Sequence, residues 1–481
     1  MNKFSPKEKD ELLKEYYIDD KTKIIVIIIG SALILISAIL IIILNATSTN
    51  KIYENEELLQ GYIPLNSITA KYRIEDTSKN ILLFNNSYTN LLHTLKIDGN
   101  KVANITNEYL FDKPGEHIVK MSLKKALRYT NDFFSQCENL TEVNLTNLNA
   151  ERINSTVNMF NGCTNLVNVD FGYFDSTNLK NISYMFNGCT SLYSIDIYGF
   201  DGSELTDMSH LFYGCKNLSI ANFNDINTVN VINMSKLFYG CNSLEEVNLN
   251  NFRTNKVIDM SNMFYGCSSL SSIQHHMNTS NVIDMTGMFY GCNLLSNISF
   301  DSFKTENVKN FTLMFYDCNS LTSLNISNFI TNNANNMYGM FKNCINLEYI
   351  DISHFNAYNV TDMGYMFNNC TSLKEIYLEN LNPVNLIYMN GMFENCISLE
   401  SLNMYNFSTN NVEDMSDLLN NCTNLKYLDF SSFDTFNVEK YGNIFNGLPD
   451  EGTIIYNSQT FNNSILNLLP NSWNKKDINN E

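Results

Sequence analysis

The sequence has little proline, tryptophan or positive charge. Its 481 residues include 6 Pro, 20 Gly and 1 Trp, too few Pro and Gly for a collagen-like chain or a proline-rich linker. The 31 Lys and Arg are outnumbered by 50 Asp and Glu, which gives a net charge of -19. Phosphate binding needs clustered basic residues, so we expect no nucleic-acid partner. A hydrophobic content of 44% excludes a wholly disordered chain.

Catalytic signatures are also missing from the sequence. It contains no G-x-S-x-G, H-E-x-x-H, P-loop or dinucleotide fingerprint. Acidic residues are numerous enough to form a carboxylate pair by chance, so an extracellular hydrolase remains a third functional hypothesis. We predict a protein that is not an enzyme, with no catalytic residues, no metal site and no cofactor.

One long apolar run lies near the start of the chain. Residues 24–44 carry no charge, and six lysines precede them, whereas the twenty residues that follow hold only Lys51. This pattern predicts a transmembrane helix with residues 1–23 in the cytoplasm and a spacer over 45–65 outside. The alternative is a cleaved signal peptide, whose apolar region is usually shorter, roughly 7–15 residues. The predicted location is therefore the plasma membrane, single-pass, with an extracellular main domain.

An internal repeat covers most of the remaining chain. Twelve cysteines recur at intervals of 26 residues, except for one interval of 25, and a leucine stands three positions after each of them. The cysteines are Cys137, Cys163, Cys189, Cys215, Cys241, Cys267, Cys292, Cys318, Cys344, Cys370, Cys396 and Cys422. A unit this small cannot bury its own apolar side, so the repeat indicates units that stack on one another.

The apolar spacing within a unit predicts its local structure. Met260, Met263 and Phe264 precede Cys267 at helical spacing, and an L-x-x-V-x-L pattern follows Cys241 as a short strand would. Helices pack about 8–10 Å apart and strands about 4.8 Å apart, so the helical side should be the longer one. We predict an α/β repeat: a curved leucine-rich-repeat type solenoid of about twelve 26-residue units with its strands on the concave side.

The repeat resembles a known family. Segments such as MFNGCTNLVNVDFGYF at 159–174 and MFYGCSSLSSI at 263–273 are similar to the BspA-like leucine-rich repeat surface proteins, in their 25–26-residue variant. The resemblance spans roughly residues 134–447. It implies exposure at the cell surface and, for some members, adhesion to host proteins or other microbes. It implies no common catalytic residues.

Flanking segments suggest caps at both ends of the solenoid. Strand-like stretches separated by turn residues predict a small β-rich N-terminal cap over 66–125, followed by the solenoid over 126–448. Residues 449–481 would form a C-terminal cap, with a frayed polar tail after Trp473.

Cysteine and histidine admit more than one role. The expected helical spacing of the units favours free, buried thiols over disulfides, and no C-x-x-C pair indicates zinc.

His275 and His276 lie in the repeat that is one residue shorter than the others. A local metal or ligand site there is possible in principle, but a tolerated irregularity is the preferred interpretation because carboxylate and cysteine partners are lacking.

Polar and aromatic residues on the outer side of the predicted strands are the candidate binding site. Aspartates alternate with amides in one row, and tyrosines, which are favoured contact residues, flank it. The candidates are Asp170, Asp196, Tyr198, Tyr349, Asp351, Tyr405, Tyr427 and Asp429. A solvated face without a partner is the alternative, and the negative charge of the row would favour a basic partner.

These patterns together predict a cell-surface adhesion or recognition protein. Its partner would be a protein or glycan of a host or neighbouring cell surface or matrix. The rival hypothesis is a structural coat protein whose solenoids assemble laterally.

Overall fold

The protein forms a parallel β-solenoid of about twelve turns, which we call rungs. In the computed structural model the described residues are 66–197, 200–223, 226–296, 298–378 and 381–479. The predicted transmembrane segment 24–44 lies outside them. Among the residues described, none belongs to a helix of sufficient length and apolar character to span a bilayer.

Short strands account for most of the regular structure. The N-terminal strands are β1 Ser67–Ile74, β2 Ile81–Leu82, β3 Leu92–Ile97, β4 Asn100–Lys101, β5 Glu108–Tyr109 and β6 Gly115–Leu123. Those of the rungs are β7 Leu140–Asn144, β8 Asn168–Asp170, β9 Ser194–Asp196, β10 Ile220–Asn222, β11 Glu246–Leu249, β12 Ser272–His275, β13 Tyr349–Asp351, β14 Glu375–Tyr377, β15 Ser401–Asn403 and β16 Tyr427–Phe430. The chain ends with β17 Thr453–Tyr456 and β18 Asn474–Asp477. A 3-10 helix, Asn86–Leu91, and a four-residue α-helix, α1 Asn463–Leu466, complete the described elements.

An antiparallel sheet covers the first rung. Its strand order is β4-β3-β6-β1-β7-β8, and β1 pairs antiparallel with β6 on one side and with β7 on the other. From β7 onward the rung strands are parallel, as in the register Val247 to Ile273. Strand β1 therefore occupies the edge that the first rung would otherwise expose.

Each rung buries the rows that the repeat predicts. The leucine after every cysteine is at most 1% exposed, and Val247 and Leu249 of β11 are 3% and 0% exposed. The outward residues between them, such as Asn248, remain exposed, as strand alternation requires. The predicted core is confirmed.

The predicted short helix in each rung is wrong. Asn158 and Gly162 have positive φ angles of 56° and 74°, and equivalent residues do so in the other rungs. Around these residues the chain makes tight turns; in one of them the Cys163 amide donates a hydrogen bond to the Phe160 carbonyl at 3.0 Å. The Phe160 amide, however, donates across to the Met185 carbonyl of the next rung at 2.8 Å. A left-handed residue every fourth position interrupts the helical path, because a right-handed helix needs negative φ throughout.

The predicted curvature rested on a helical side that is longer than the strand side, and without helices this difference in length has no basis. A second ladder of parallel bridges runs along the turn side from Ser155 to Lys440. The stacked rings of Phe160, Phe186 and Phe212 lie 5.3 and 5.5 Å apart, far closer than packed helices. Both sides of the solenoid therefore have the spacing of hydrogen-bonded backbone.

All twelve cysteines are free and buried, as predicted, but for a different reason. The close rung spacing would permit disulfides in principle. Instead each thiol from Cys163 onward donates to the carbonyl of a phenylalanine in the preceding rung, as Cys163 does to Phe134 at 3.0 Å. Burial raises the pKa of these thiols; that of Cys344, for example, rises to about 12.

The shortened repeat is absorbed in a single turn. Three positions separate Leu249 from the buried Phe252, but only two separate the equivalent His275 from Met277, which is 0% exposed. By Thr279 the regular pattern has returned, since its hydroxyl donates to the next rung just as that of other row members does. The missing residue is thus accommodated within one turn, as the preferred interpretation of a tolerated irregularity predicts.

The C-terminal end is more ordered than the sequence predicts. The indole of Trp473 is 3% exposed and donates to the Pro449 carbonyl at 2.8 Å. The polar residues after it do not fray at once but form β18, which pairs parallel with β17. Two lysines in β18 discourage further pairing at this open edge.

We predict that the native thiols are almost unreactive. At about pH 8 a thiol reagent such as dithionitrobenzoate should label few or none of the twelve cysteines in the folded protein, because burial both blocks access and disfavours the thiolate. In concentrated guanidinium all twelve should react. Rapid labelling of several thiols in the folded protein would contradict the buried ladder.

A glycine at the left-handed turn position offers a second test. Gly240 has φ +71°, and an added Cβ would lie 3.7 Å from the Gly214 Cα, an ordinary contact. Gly240→Ala should therefore lower the free energy of unfolding by about 1–2 kcal/mol through backbone conformation alone. Gly240→Asn should lower it less, since Asn343 adopts φ 62° at the same position. Urea unfolding followed by circular dichroism measures both variants, and equal destabilisation would refute the explanation.

Candidate functional site

The outward side chains of the rung strands form one surface, which we call the strand face. In β13, Ile350 is fully buried while Tyr349 and Asp351 on either side of it are exposed. The pleat of the strand imposes this alternation. Equivalent positions along the stack therefore line one polar side of the solenoid, where the strands pair in short sheets such as β13 with β14 and β15 with β16.

The predicted site residues do not form one cluster. Asp170 and Asp196 lie in β8 and β9, while the tyrosines and aspartates from residue 349 onward belong to the rungs of β13, β15 and β16. Asp196 and Asp351 are six rungs apart, or about 29 Å at the spacing of paired strands. Tyr198 is not among the described residues.

The aspartates of the strand face are structural as well as exposed. The Asp351 carboxylate accepts from the Ser353 amide at 2.9 Å, and Asp429 accepts from the Ser431 amide at 2.9 Å. Such bonds from a side chain to the backbone two residues on are the mark of an Asx turn. The alternation of Asp and Asn in this row is thus explained by turn formation, which either residue can support.

The tyrosine side chains do not form Asx turns. The described tyrosines of the predicted site lie in the rungs of β13 to β16. Tyr349, Tyr405 and Tyr427 are 42%, 43% and 37% exposed. Tyr377, which is not among the site residues predicted from the sequence, is 41% exposed, and its ring centroid lies 5.7 Å from that of Tyr349. We call these four residues the tyrosine cluster. Its spacing of 28 residues from Tyr349 to Tyr377 to Tyr405 would have revealed a diagonal across the sheet.

Carboxylates surround the tyrosine cluster. Lys374 pairs with Glu348 at 2.8 Å, and the Tyr377 hydroxyl donates to Glu375 at 3.2 Å. That hydrogen bond, together with the charge of Glu375, raises the pKa of Tyr377. Among the described residues in these strands and directly before them, five acidic and two basic side chains give a net charge of -3. They are Glu348, Asp351, Glu375, Glu400 and Asp429 against Lys374 and Lys426.

The histidine pair does not provide a metal centre. Burial lowers the pKa of His275, which favours the neutral ring, and the ring packs edge-on against Phe303 at 5.4 Å. In the parts of the chain that the structure describes, no three His, Cys, Asp or Glu side chains converge in a way that could hold a metal ion.

A second row of tyrosines was not predicted from the sequence. It lies on the turn side, where adjacent rings stack at centroid distances of 4.1–4.5 Å. Its members are Tyr213, Tyr239, Tyr265, Tyr290 and Tyr316. The sequence signal that would have predicted this row is the tyrosine that follows the phenylalanine in the repeated F-Y-G-C motif. Because the ring faces are occupied by one another, this row serves mainly to pack the turns.

Comparison with protein families decides the classification. The family described as "Mycoplasma protein of unknown function, DUF285" matches over residues 129–247, 193–303, 232–349, 294–385, 335–455 and 377–480. Together these matches cover most of the chain. The chain belongs to this family. The BspA type leucine rich repeat region matches residues 55–166, which confirms the predicted BspA-like relationship.

Solved structures provide only distant likenesses. A leucine-rich repeat protein from Eubacterium ventriosum is 14% identical, with 62% of this chain and 84% of that chain covered and a TM-score of 0.26. The functional domain of InlJ from Listeria monocytogenes, which includes a cysteine ladder, is 9% identical, with 70% of each chain covered and a TM-score of 0.21. Similarities this low carry no argument about function. No curated protein matches the chain.

The two roles of the aspartate row can be separated by substitution. Hydrogen bonds from the Ser353 side chain and backbone lower the pKa of Asp351. The part of their stabilising effect that depends on the carboxylate charge should therefore be present above the ordinary carboxyl pKa and disappear as the pH falls through the lowered one. Asp351→Ala, which removes the acceptor, should lower the free energy of unfolding at neutral pH by about 0.5–1.5 kcal/mol.

Asp351→Asn is the matched control because it keeps the acceptor oxygen and removes only the charge. It should unfold in urea within about 0.5 kcal/mol of the natural protein. If both substitutions destabilise equally, the charge and not the Asx turn would be the important property of Asp351.

Proposed function

We propose that the protein is a surface-displayed recognition module that binds a protein partner through the tyrosine cluster of its strand face. The observation that carries this proposal is the grouping of four exposed tyrosines on four successive rungs, those of the paired strands β13 and β14 and of the paired strands β15 and β16. Tyrosine brings large contact area with few rotatable bonds, and it is enriched where proteins bind one another.

The residues around the cluster support a protein partner over a glycan. Ser401, Asn403 and Ser353 are small polar side chains interspersed among the tyrosines. Tyrosine, serine and asparagine together are the composition of antibody combining sites, where rigid aromatic anchors are combined with adaptable hydrogen-bonding groups. The role we propose is adhesion to a surface or matrix protein of a host or neighbouring cell.

An extracellular position for the solenoid is part of the same proposal. The BspA-like family relationship carries the expectation of surface display. The apolar run 24–44, with lysines before it, supplies the expected anchor and orientation.

The proposal predicts a selective loss of binding. The full-length chain in detergent should bind a defined member of an array of purified extracellular-matrix and cell-surface proteins. Replacing the four tyrosines of the cluster together by Ser should weaken that binding at least about tenfold, because aromatic anchors dominate interface energies. Biolayer interferometry measures the change.

The N-terminal rungs provide the matched control. Tyr173 and Tyr193 are 103% and 59% exposed, and they lie six or more rungs from the cluster. Their joint replacement by Ser should leave binding within about twofold. Binding that survives loss of the cluster, or that is confined to a parallel glycan array, would overturn the proposal.

A further inference from the structure

The tyrosine cluster surrounds a depression in the strand face. Strand β15 presents the small side chains Ser401 and Asn403, both exposed. Ser401 is flanked by the larger side chains Glu375 in β14 and Tyr427 in β16, whereas Asn403 is flanked by the larger Tyr377 in β14 and by Asp429, which is of its own size, in β16. We call this depression the notch. Its walls are two strand spacings apart, about 9–10 Å between backbones.

Each wall of the notch combines one aromatic ring with one carboxylate. Glu375 and Tyr427 share one outward position, and Tyr377 and Asp429 share the other, so the two walls have opposite order along the strand. Tyr405, two residues beyond the end of β15, borders the notch on one side. A side chain that enters therefore meets negative charge and an aromatic surface from both walls.

Negative charge predominates around the notch. Strands β14, β15 and β16 contain no Lys or Arg. Of the two lysines that directly precede β14 and β16, Lys374 is engaged with Glu348, and Lys426 shares its position in the repeat with Glu400 of the adjacent rung. The carboxylate of Glu375 accepts the Tyr377 hydroxyl, and the neighbouring Asp429 contributes to the raised pKa of Tyr427, after burial of the ring. A cation that enters the notch would relieve this concentration of negative charge.

From this geometry we infer that the notch receives an arginine or lysine side chain of the protein partner. Aromatic rings attract guanidinium and ammonium groups, and carboxylates form charge-assisted hydrogen bonds with them. The inference rests on the proposed function, since it names the anchor by which a partner binds the tyrosine cluster. The partner should accordingly present a basic segment at its binding surface.

The test uses the full-length chain and two labelled peptides that differ only in charge. One is a dodecapeptide of alternating glycine and arginine, and the other has citrulline, the neutral analogue, in place of each arginine. Fluorescence anisotropy should show the arginine peptide binding at least about tenfold more tightly, because citrulline keeps the shape but loses the charge. Equal affinities would overturn the inference.

The repeat offers a matched pair of variants. Ser401→Lys places the protein's own cation in the notch, whereas Ser194→Lys adds the same charge at the equivalent exposed position eight rungs away. Ser401→Lys should weaken binding of the arginine peptide at least about tenfold, and Ser194→Lys should change it less than about twofold, since distant exposed charges are screened by salt. Equal weakening by both would indicate general attraction to an acidic surface and would refute a defined site.

Ser401→Gln separates filling of the notch from its charge. This neutral side chain of similar length blocks entry without repelling a cation, so it should weaken binding of the arginine peptide, but by less than Ser401→Lys does. Binding that is unchanged by Ser401→Gln would show that no side chain enters the notch and would count against the inference. Circular dichroism spectra that match the natural protein exclude misfolding of any variant.

The outcomes distinguish this inference from the proposed function. If the array partner is lost by replacement of the tyrosine cluster but retained by Ser401→Lys, the cluster binds the partner without a cation in the notch, and only the inference fails. If the partner is retained even without the cluster, the proposed function fails whatever the peptides show.

Discussion

Backbone hydrogen bonding between successive rungs is the constraint on which the whole structure depends. On the turn side as well as in the strands, amides donate to carbonyls of an adjacent rung, as Phe160 does to Met185 of the following rung and Val167 does to Thr141 of the preceding one. A buried amide without a partner is costly, so each rung needs a neighbour of nearly the same path. Identical spacing then brings identical side chains into rows, which explains the stacked phenylalanines and the ladder of thiols.

This constraint also explains why the chain uses so much asparagine and aspartate. Each rung must turn sharply several times without a helix, and side chains that accept a hydrogen bond from the backbone two residues on stabilise such turns. Asp351 does this at the end of a strand, and Asp207 and Asn233 do it in the turn-side ladder. Acidity and amide content are consequences of the architecture before they are features of a binding surface.

Function is then carried by positions that the architecture leaves free. The buried rows vary little from rung to rung, but the outward positions of β13 to β16 hold tyrosine, glutamate, serine and asparagine in an order that does not repeat. A rigid repetitive scaffold with a non-repeating surface can present one specific arrangement of contacts on a few rungs. The tyrosine cluster and the notch between β14 and β16 are such an arrangement, and both depend on which rungs are adjacent.

Sequence periodicity by itself determined the number of rungs and the buried rows, because both depend only on spacing along the chain, and the resemblance of the repeated motifs indicated the family. Periodicity predicted the wrong local structure where one apolar spacing is compatible with two backbone conformations. Apolar residues at i, i+3, i+4 and i+7 suit a helix equally well as a series of turns, and only the left-handed backbone at positions such as Asn158 decides for turns. The rung spacing, the reason the thiols stay unpaired and the order of the C-terminal tail followed from that decision. The candidate site was half predictable: the repeat assigns single tyrosines to the outer face and to their rungs, but the exposure of each ring and the contact between Tyr349 and Tyr377 required the tertiary structure, since distance across rungs depends on how the rungs stack.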